Sequence, residues 1–327
     1  MRRAPRICTT GRAGLLAGAW LAIACCARAT GETSAPGSSS AGGGGGGDGG
    51  GTPVLPKTLC ILNWNVHNLV NDKDDDPAPY EEPVSSAKWE AHRKAAGKVL
   101  ADIDADIAVL QEIENLAVLD ALNDEELGGR YVASALVDAN DPRGLDIGVL
   151  SKIELGEVKS HKDEDFVKVG TEGPYYRYSR DCLEVHLEYN GRRLVLLGVH
   201  YKAKENDDPD KRLAEAQRTR QIADEIRAAD PAAGIVILGD FNDTPGSPAY
   251  SWTVGKEPEE YTNAPESVPE KDRWTFNYNG KLELVDQQMS SPVLAPMLDK
   301  KQVRILHTDA VEAASDHAPV VACYEVY

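Results

Sequence analysis

Polar residues with reactive side chains stand at the ends of several apolar runs in this sequence. Each run is of the kind that forms a β-strand, and it ends in a carboxylate, an amide or an imidazole. One such residue is usually a turn or cap residue. Repeated occurrence is typical of a site built on the rim of a rigid sheet, where these groups can bind a divalent cation and activate water. The residues are Asn65, Glu112, His200, Asp240 with Asn242, and Asp316 with His317.

The apolar runs themselves predict two packed sheets. RLVLLGVHY (193–201) and GIVILGDF (234–241) are apolar on both faces, so we expect them at the centre of a sheet. CLEVHLEY (182–189) alternates, which predicts one face in water. The mixture predicts an α/β (α+β) fold, a four-layer sandwich of two mainly antiparallel β-sheets flanked by helices. The other predicted strands are 59–66, 107–111, 131–137, 147–151 and 318–326, and the predicted helices are 86–102, 115–126 and 209–229.

Two long polar segments, 71–83 and 255–273, are predicted as loops. The aspartates of the first segment lack the glycine and the distal glutamate of a calcium-binding loop, so we interpret it as solvated. We expect the second loop to lie on the substrate side and to influence specificity.

The N-terminal segments do not resemble a folded body. Arginines followed by an apolar run too short to span a membrane predict an export signal. Two cleavage sites stay open: a lipobox that makes Cys25 a lipidated N-terminus, and an ordinary signal peptidase site after Ala29. We therefore expect a periplasmic or extracellular protein, with Cys25 as an alternative membrane tether. The predicted segments are the signal, 1–29, a Gly/Ser-rich flexible linker, 30–56, and the catalytic domain, 57–327.

The chain is strongly acidic, with 53 Asp and Glu against 35 Lys and Arg. Such a surface repels polyanions at long range, which counts against tight nonspecific DNA binding. It does not exclude a nuclease, because bound cations and local arginines can reverse the field inside a cleft.

The cysteines of the body, Cys60, Cys182 and Cys323, lie in apolar strand-like runs without a C-x-x-C spacing. We interpret them as small buried hydrophobic residues. A Cys60–Cys323 bridge between the first and last strands is the open alternative in an oxidising compartment.

Five motifs together resemble the endonuclease/exonuclease/phosphatase superfamily, which has a pancreatic-type deoxyribonuclease-like fold. They occur in order over about residues 58–326 as NWNVHNL, LQE, GVHYK, GDFND and SDHAP. GDFN followed by a later SDH is specific, whereas NVxNL and LQE are weak alone. The superfamily includes deoxyribonucleases, abasic-site endonucleases, neutral sphingomyelinases and inositol polyphosphate 5-phosphatases.

The resemblance implies a metal site. Glu112 matches the family's metal glutamate, the Asn65 amide assists it, and Asp316 matches a second carboxylate close to the metal. Phosphate ester hydrolysis requires a cation that neutralises the phosphoryl oxygens, and oxygen ligands suit Mg²⁺. We therefore expect Mg²⁺, with Mn²⁺ or Ca²⁺ as alternatives. His67 stands where relatives often carry an acidic residue, so a further acidic ligand from the first strand is in doubt.

The resemblance also implies the catalytic groups. Asp240 matches the residue that orients or deprotonates water, and Asn242 helps to hold the water and the phosphate. His317 matches the imidazole facing the phosphate, and Asp286 the aspartate that orients this histidine. His200 matches a second histidine of the deoxyribonuclease-like branch.

Arg180 and, with a weaker match, Arg143 resemble positions that contact the substrate phosphate. A guanidinium suits phosphate because its planar fork donates two parallel hydrogen bonds.

These features predict a metal-dependent hydrolase of phosphate esters, with an exported nuclease as the leading form. The alternatives are a phosphatase or phospholipase of the same superfamily, of sphingomyelinase or phosphoinositide type, and an inert binding domain on the same fold. The sequence offers no aromatic hairpin or basic amphipathic helix for a bilayer, which counts against a lipid substrate. We expect a monomer with nucleic acid as its partner and no protein partner.

Overall fold

Two sheets of six strands each form the centre of the molecule, and the order of their strands places the site. The structure is a computed structural model that describes residues 55–74, 78–80 and 82–327. The predicted signal and most of the predicted linker lie outside the described residues. The strands are β1 (Thr58–Leu69), β2 (Ile107–Ile113), β3 (Ala133–Leu136), β4 (Asp146–Ser151), β5 (Leu155–Ser160), β6 (Phe166–Val167), β7 (Tyr175–Tyr176), β8 (Cys182–Tyr189), β9 (Arg192–His200), β10 (Gly234–Asp240), β11 (Thr262–Asn263), β12 (Phe276–Tyr278), β13 (Lys281–Glu283), β14 (Asp286–Ser290), β15 (Arg304–Ile305) and β16 (Val320–Glu325).

The helices lie between these strands along the chain. Pro209 opens the longest of them at a position where a missing N–H costs nothing, and the Asp208 side chain caps it by accepting from the Lys211 N–H. A π-helical turn, Leu122–Glu126, continues the second helix, so the predicted helix 115–126 is irregular at its end. The helices are α1 (Ser86–Ile103), α2 (Leu116–Ala121), α3 (Pro209–Ala229), α4 (Pro248–Val254) and α5 (Asp309–Glu312).

The first sheet has the order β15-β16-β1-β2-β4-β3, and the second has the order β11-β14-β10-β9-β8-β5. In the described part of the chain, β1 with β2 and β9 with β10 are the parallel pairs, and the other pairs are antiparallel. The predicted sandwich of mainly antiparallel sheets is therefore confirmed. Strands β9 and β10 are central, as their apolar faces predict.

Three apolar clusters separate the four layers. One lies between the sheets and joins residues such as Val109 on β2 to Leu196 on β9. A second packs α1, α2 and α5 on the first sheet, and a third packs α3 and α4 on the second. In the part of the chain that the structure describes, none of the helices has the length and hydrophobicity of a transmembrane span.

Strand β8 differs from its prediction, because the face expected in water is covered. Glu184 and His186 on that face are buried. His161 contacts Glu184 through one ring nitrogen at 2.8 Å, and His186 contacts the other carboxylate oxygen at 2.5 Å. Although burial opposes this, the hydrogen bonds from His161 and His186 hold the pKa of Glu184 well below its ordinary value. The alternation thus identified the polar residues correctly, but hydrogen bonds to other side chains rather than to water satisfy them.

A disulfide joins Cys60 on β1 to Cys323 on β16, where the two residues are direct partners in the sheet. The interpretation of these cysteines as unpaired hydrophobic residues is therefore wrong. Cys182 is buried and free, in agreement with that interpretation. The bridge ties the first strand of the body to the last.

Candidate active site

Strand direction brings the strand-end residues of both sheets to one edge of the sandwich. Asn65 pairs with Gln111 in the parallel pair β1–β2, so these two strands end together. His200 pairs with Asp240 in the parallel pair β9–β10. The antiparallel neighbour β14 begins at the same edge, where Asp286 pairs with Asp240.

Glu112 points into the site because of a break in the strand register. The pairing of β2 with β4 shifts between Gln111 and Ile113, and Glu112 between them has a φ of 67°, in the left-handed region. Such a bulge re-aims one side chain out of the sheet alternation. One carboxylate oxygen then accepts from the Asn68 N–H at 2.9 Å, and the other from the Asn65 side-chain amide at 3.1 Å. Glu112 is therefore fixed before any ligand binds.

Asn65 lies between two carboxylates. Its amide NH₂ donates to Glu112 at 3.1 Å and to Asp240 at 3.2 Å, whereas its oxygen accepts from the His67 N–H at 3.0 Å. Asn65 therefore orients the two carboxylates. The resemblance implied that the Asn65 amide assists Glu112. The bulge in β1 turns the His67 N–H towards the amide oxygen, and the NH₂ group is directed at the Glu112 carboxylate.

Asp240 is held where β10 approaches β9 most closely. Gly239 before it has a φ of 146°, and a Cβ there would lie 1.8 Å from the Val199 carbonyl oxygen. Only glycine allows this approach. Burial and the charge of Asp286 raise the pKa of Asp240 to about 7. Asp240 is therefore able to take a proton near neutral pH.

His317 lies between two carboxylates. Its Nδ1 is 2.8 Å from Asp286, which is fully buried, and its Nε2 is 3.9 Å from Asp240. Burial lowers the pKa of His317, but the charges of Asp286 and Asp240 outweigh it and raise the pKa to about 10. His317 is thus an imidazolium at neutral pH.

The pKa of His200 is shifted in the opposite direction to that of His317. Its Nε2 lies 3.5 Å from Asp240 and 4.0 Å from Glu112. Burial, together with the nearby positive charges of Arg180 and His317, holds the pKa of His200 well below its ordinary value. The two imidazoles of the site therefore differ in charge, a neutral His200 and a cationic His317.

Asp141 holds both predicted phosphate-contacting arginines. It accepts two hydrogen bonds from the Arg143 guanidinium, at 3.0 and 2.9 Å, and one from the Arg180 guanidinium at 2.8 Å. Arg180 is buried and also donates to the Tyr201 carbonyl, whereas the Arg143 side chain is 46% exposed. Arg143 therefore has the freer guanidinium, and Arg180 the fixed positive charge.

Asn242 and Asp316 complete the rim. Asn242 has a φ of 50°, its N–H donates to Asp240 at 2.7 Å, and its side chain donates to the Tyr201 carbonyl at 3.2 Å. Asp316 lies 3.5 Å from His67, and both side chains are about half exposed. His67 therefore pairs with the second carboxylate.

A cavity of about 620 Å³ collects these groups. Asn65 and Asp286 lie behind its wall as orienting residues. The predicted loop 255–273 contributes no residue to this cavity, so the prediction that it lies on the substrate side is wrong. Phe276, which follows the loop, lines the cavity instead. The predicted site residues that line the cavity are Glu112, Arg143, Arg180, His200, Asp240, Asn242, Asp316 and His317.

The oxygen donors of the cavity suit a hard divalent cation. Glu112 and Asp316 both face it, with side chains 13% and 46% exposed. Atoms of Asp240, Asp286 and His317 also lie within 4.8 Å of one another. That group is less suited to a metal, because Asp286 is buried behind His317 and an imidazolium cannot coordinate. Glu112 and Asp316 therefore fit the cation best.

Several supporting residues were not predicted. The Thr275 hydroxyl accepts from the Asp286 N–H at 3.1 Å, and the Ser315 hydroxyl accepts from the His317 N–H at 3.0 Å. The Phe276 ring stacks on His317 with centroids 4.8 Å apart. The alternation W-T-F-N-Y at 274–278 was the available signal for this aromatic edge, whereas nothing in the sequence identified Asp141.

Comparison with known proteins agrees with this geometry. The sequence profile of the Endonuclease/Exonuclease/phosphatase family matches residues 60–317. No curated protein matches the chain.

Several solved structures have a similar fold, and this chain aligns with almost the whole length of each of the three described next. The human Nocturnin catalytic domain with bound sulfate anion has a TM-score of 0.60 and 15% identity, over 83% of this chain and 96% of that chain. TDP2 from D. rerio complexed with single strand DNA product has a TM-score of 0.55 and 18% identity, over 82% of this chain and 99% of that chain. The endonuclease/exonuclease/phosphatase from Bacteroides vulgatus has a TM-score of 0.57 and 17% identity, over 83% of this chain and 99% of that chain. These likenesses show the fold. Since the family profile spans most of the body, this chain belongs to the endonuclease/exonuclease/phosphatase family of hydrolases that act on phosphate esters.

Proposed function

We propose that this protein is an exported, divalent-cation-dependent phosphodiesterase that acts on nucleic acid. The observation that carries the proposal is the convergence of Glu112, Asp240 and His317 from both sheets on one cavity. A cavity with carboxylates, an imidazolium and arginines suits a phosphodiester, which needs charge neutralisation and an activated water.

The residues divide the chemistry between them. A divalent cation held by Glu112 and Asp316 would neutralise charge on the phosphoryl oxygens. Asp240 accepts the proton of the attacking water as the water oxygen bonds to phosphorus, the ester bond to the leaving oxygen breaks, and solvent protonates that oxygen. Asn65 keeps the Asp240 carboxylate directed into the cavity. His317 donates its Nε2–H to a phosphoryl oxygen, and neutral His200 donates a hydrogen bond without adding charge.

Three observations favour nucleic acid over other phosphate esters. Arg143 offers an exposed guanidinium beside His200, where a phosphate flanking the scissile bond could bind. His200 also resembles the second histidine of the nuclease branch. The D. rerio TDP2 structure, which shares the fold, holds a single strand DNA product.

The disulfide supports export. Disulfides persist mainly in oxidising compartments outside the cytoplasm, and Cys60–Cys323 is consistent with the export signal predicted for residues 1–29. Lipidation at Cys25 stays a proposal that mass spectrometry of the mature N-terminus would test.

A lipid phosphoester is the second candidate. No aromatic hairpin was predicted, yet β12 and β13 form a hairpin on which Tyr278 and Leu282 are 61% and 51% exposed. Exposed aromatic and aliphatic side chains can enter a membrane interface. The hairpin therefore makes a lipid substrate less disfavoured than the sequence indicated.

A substrate panel tests the proposal. The full chain is incubated with single-stranded DNA, plasmid DNA, RNA, sphingomyelin and a phosphoinositide, each with Mg²⁺ and with a chelator. We expect Mg²⁺-dependent cleavage of nucleic acid and little turnover of the lipids. Preferential lipid turnover would favour the second candidate. A silent panel with no heat of Mg²⁺ binding in calorimetry would favour an inert domain.

A further inference from the structure

A second cavity, of about 650 Å³, adjoins the catalytic cavity and has no role in the steps above. His317 and Phe276 line both cavities, so the two cavities meet at these side chains. The far wall of the second cavity is the β12–β13 hairpin. Its volume is in the range of small-molecule sites, which is sufficient for a nucleoside.

The hairpin presents one defined face to this cavity. Phe276 pairs with Glu283 and Tyr278 with Lys281, and all four side chains line the cavity. Residues opposite each other in an antiparallel pair share a face. The exposed Leu282 pairs with Asn277 and belongs to the other face. The aromatic side chains therefore face the catalytic site, a geometry that favours a ligand in the cavity over a membrane.

The aromatic rings continue the stack that begins at the catalytic imidazole. Phe276 lies over His317 at 4.8 Å with 30° between the planes. Tyr278 follows at 6.3 Å from Phe276 with 25° between the planes. Rings so nearly parallel leave a flat face of Tyr278, which is 61% exposed, for a further planar group.

The turn holds this face rigid, and lysines flank it. Asn279 and Gly280 have φ values of 50° and 87°, as a type I′ hairpin turn requires. Lys204 and Lys281 both contact Glu283, at 3.2 and 2.6 Å, and their side chains are 43% and 73% exposed. The cavity thus combines a planar apolar surface with two lysines, as sites for single-stranded nucleic acid do. Glu205 and Glu283 line it beside the lysines.

We propose that this second cavity is a nucleobase subsite, in which a base next to the scissile phosphate stacks on the free face of Tyr278 while Lys204 and Lys281 attract the neighbouring phosphate. The proposal rests on the proposed function, since it presumes a nucleic acid substrate. A base can offer its face only when it is unpaired and unstacked from its strand. Single strands and frayed ends should therefore be cleaved in preference to an intact duplex.

The test compares the full-length wild type with Tyr278→Ala on two single-stranded substrates of equal length. One is a mixed-sequence oligodeoxynucleotide, and the other is a tetrahydrofuran strand with the same phosphates and no bases. Losing one stacked base should lower kcat/KM on the oligonucleotide by about tenfold, mainly through KM. Tyr278→Ala should cleave the base-free strand as fast as the wild type does. Tyr278→Phe should restore the oligonucleotide rate.

Tyr175→Ala is the matched control, because Tyr175 is 74% exposed on another two-stranded ribbon and lines neither cavity. Equal effects of Tyr278→Ala on both strands, or no effect on either, would overturn the subsite while leaving the proposed function intact. Failure of the wild type to cleave either strand would remove both. Normal oligonucleotide cleavage with lost cosedimentation on sphingomyelin–phosphatidylcholine vesicles would assign the hairpin to lipid and overturn the proposal.

Discussion

At the scale of single residues, the contact between Asp286 and His317 decides the charge of the site. Asp286 is fully buried, and its oxygen lies 2.8 Å from the imidazole Nδ1. The folded pKa of His317, about 10, lies above the ordinary value, so the imidazolium is present through neutral pH and is lost as pH rises through the folded pKa. The catalytic cation is therefore maintained by a residue that does not reach the cavity.

Asp286→Asn removes the charge that most raises the pKa of His317 while leaving the shape unchanged. We expect that pKa to fall, so the alkaline limb of the kcat/KM profile moves to lower pH. The rate at neutral pH should drop by about 100-fold. The measurement is kcat/KM against pH, with the exposed Glu157→Gln as the control. An alkaline limb that stays in place in Asp286→Asn would contradict this account of His317.

The sequence predicted the positions of the reactive residues better than their supports. Glu112 and Asp240 stand at strand ends, and strand direction alone brings such residues to one edge. The role of Asp141 depends on two arginines 2 and 39 residues away, and only the fold shows that their side chains meet. Asn65 was recognisable as a site residue, but the direction of its amide is set by the bulge in β1.

At the scale of elements, one buried amide joins the two sheets beside the site. Asn63 on β1 donates to the Gly239 carbonyl at 3.3 Å and to the Gln287 carbonyl at 3.1 Å, both in the second sheet. Its oxygen accepts from Gln111 at 2.9 Å. Because Gly239 precedes Asp240, this amide fixes the distance between the strand ends of the two sheets.

Asn63→Leu should therefore destabilise the fold, because buried polar partners lose their hydrogen bonds. We expect the free energy of unfolding to fall by about 1–3 kcal/mol, measured by urea denaturation. Activity below the unfolding transition should also fall, since Gly239 and Asp240 are no longer tied to β1. A variant with unchanged unfolding free energy and unchanged kcat/KM would show that the tie is not needed.

Sequence patterns predicted the central strands well because their apolar faces are buried on both sides. The prediction was wrong at β8, where the face that carries Glu184 and His186 was expected to be solvent-exposed and is buried. The alternation of polar residues carries no information on whether water or another side chain satisfies them. Here His161, which follows β5, provides the partner.

At the scale of the whole molecule, the disulfide closes the body from its first strand to its last. Cys60 and Cys323 are 263 residues apart in sequence. A bridge that closes so long a loop restricts the unfolded chain strongly. The sequence left this pairing open, because it depends on β16 lying next to β1, which no local pattern reveals.

Replacing both Cys60 and Cys323 with Ala should lower the free energy of unfolding by about 2–4 kcal/mol. Reduction of the wild type with dithiothreitol should lower it by a similar amount and should leave the double variant unaffected. Thermal and urea unfolding with and without reductant measure this. If reductant leaves wild-type unfolding unchanged, although a thiol assay under denaturing conditions shows that Cys60 and Cys323 have been reduced, the bridge has no role in stability.

The most direct test of the whole account is the Mg²⁺-dependent hydrolysis of a phosphodiester by the full chain and by Glu112→Ala and His317→Ala. We predict that a chelator abolishes wild-type turnover, that Mg²⁺ restores it, and that either variant loses about 10²–10³-fold or more in kcat. Glu157→Ala, an exposed acid that lines neither cavity, should retain full activity. Turnover that persists with chelator, or that either site variant retains, would contradict a site assembled from both sheets.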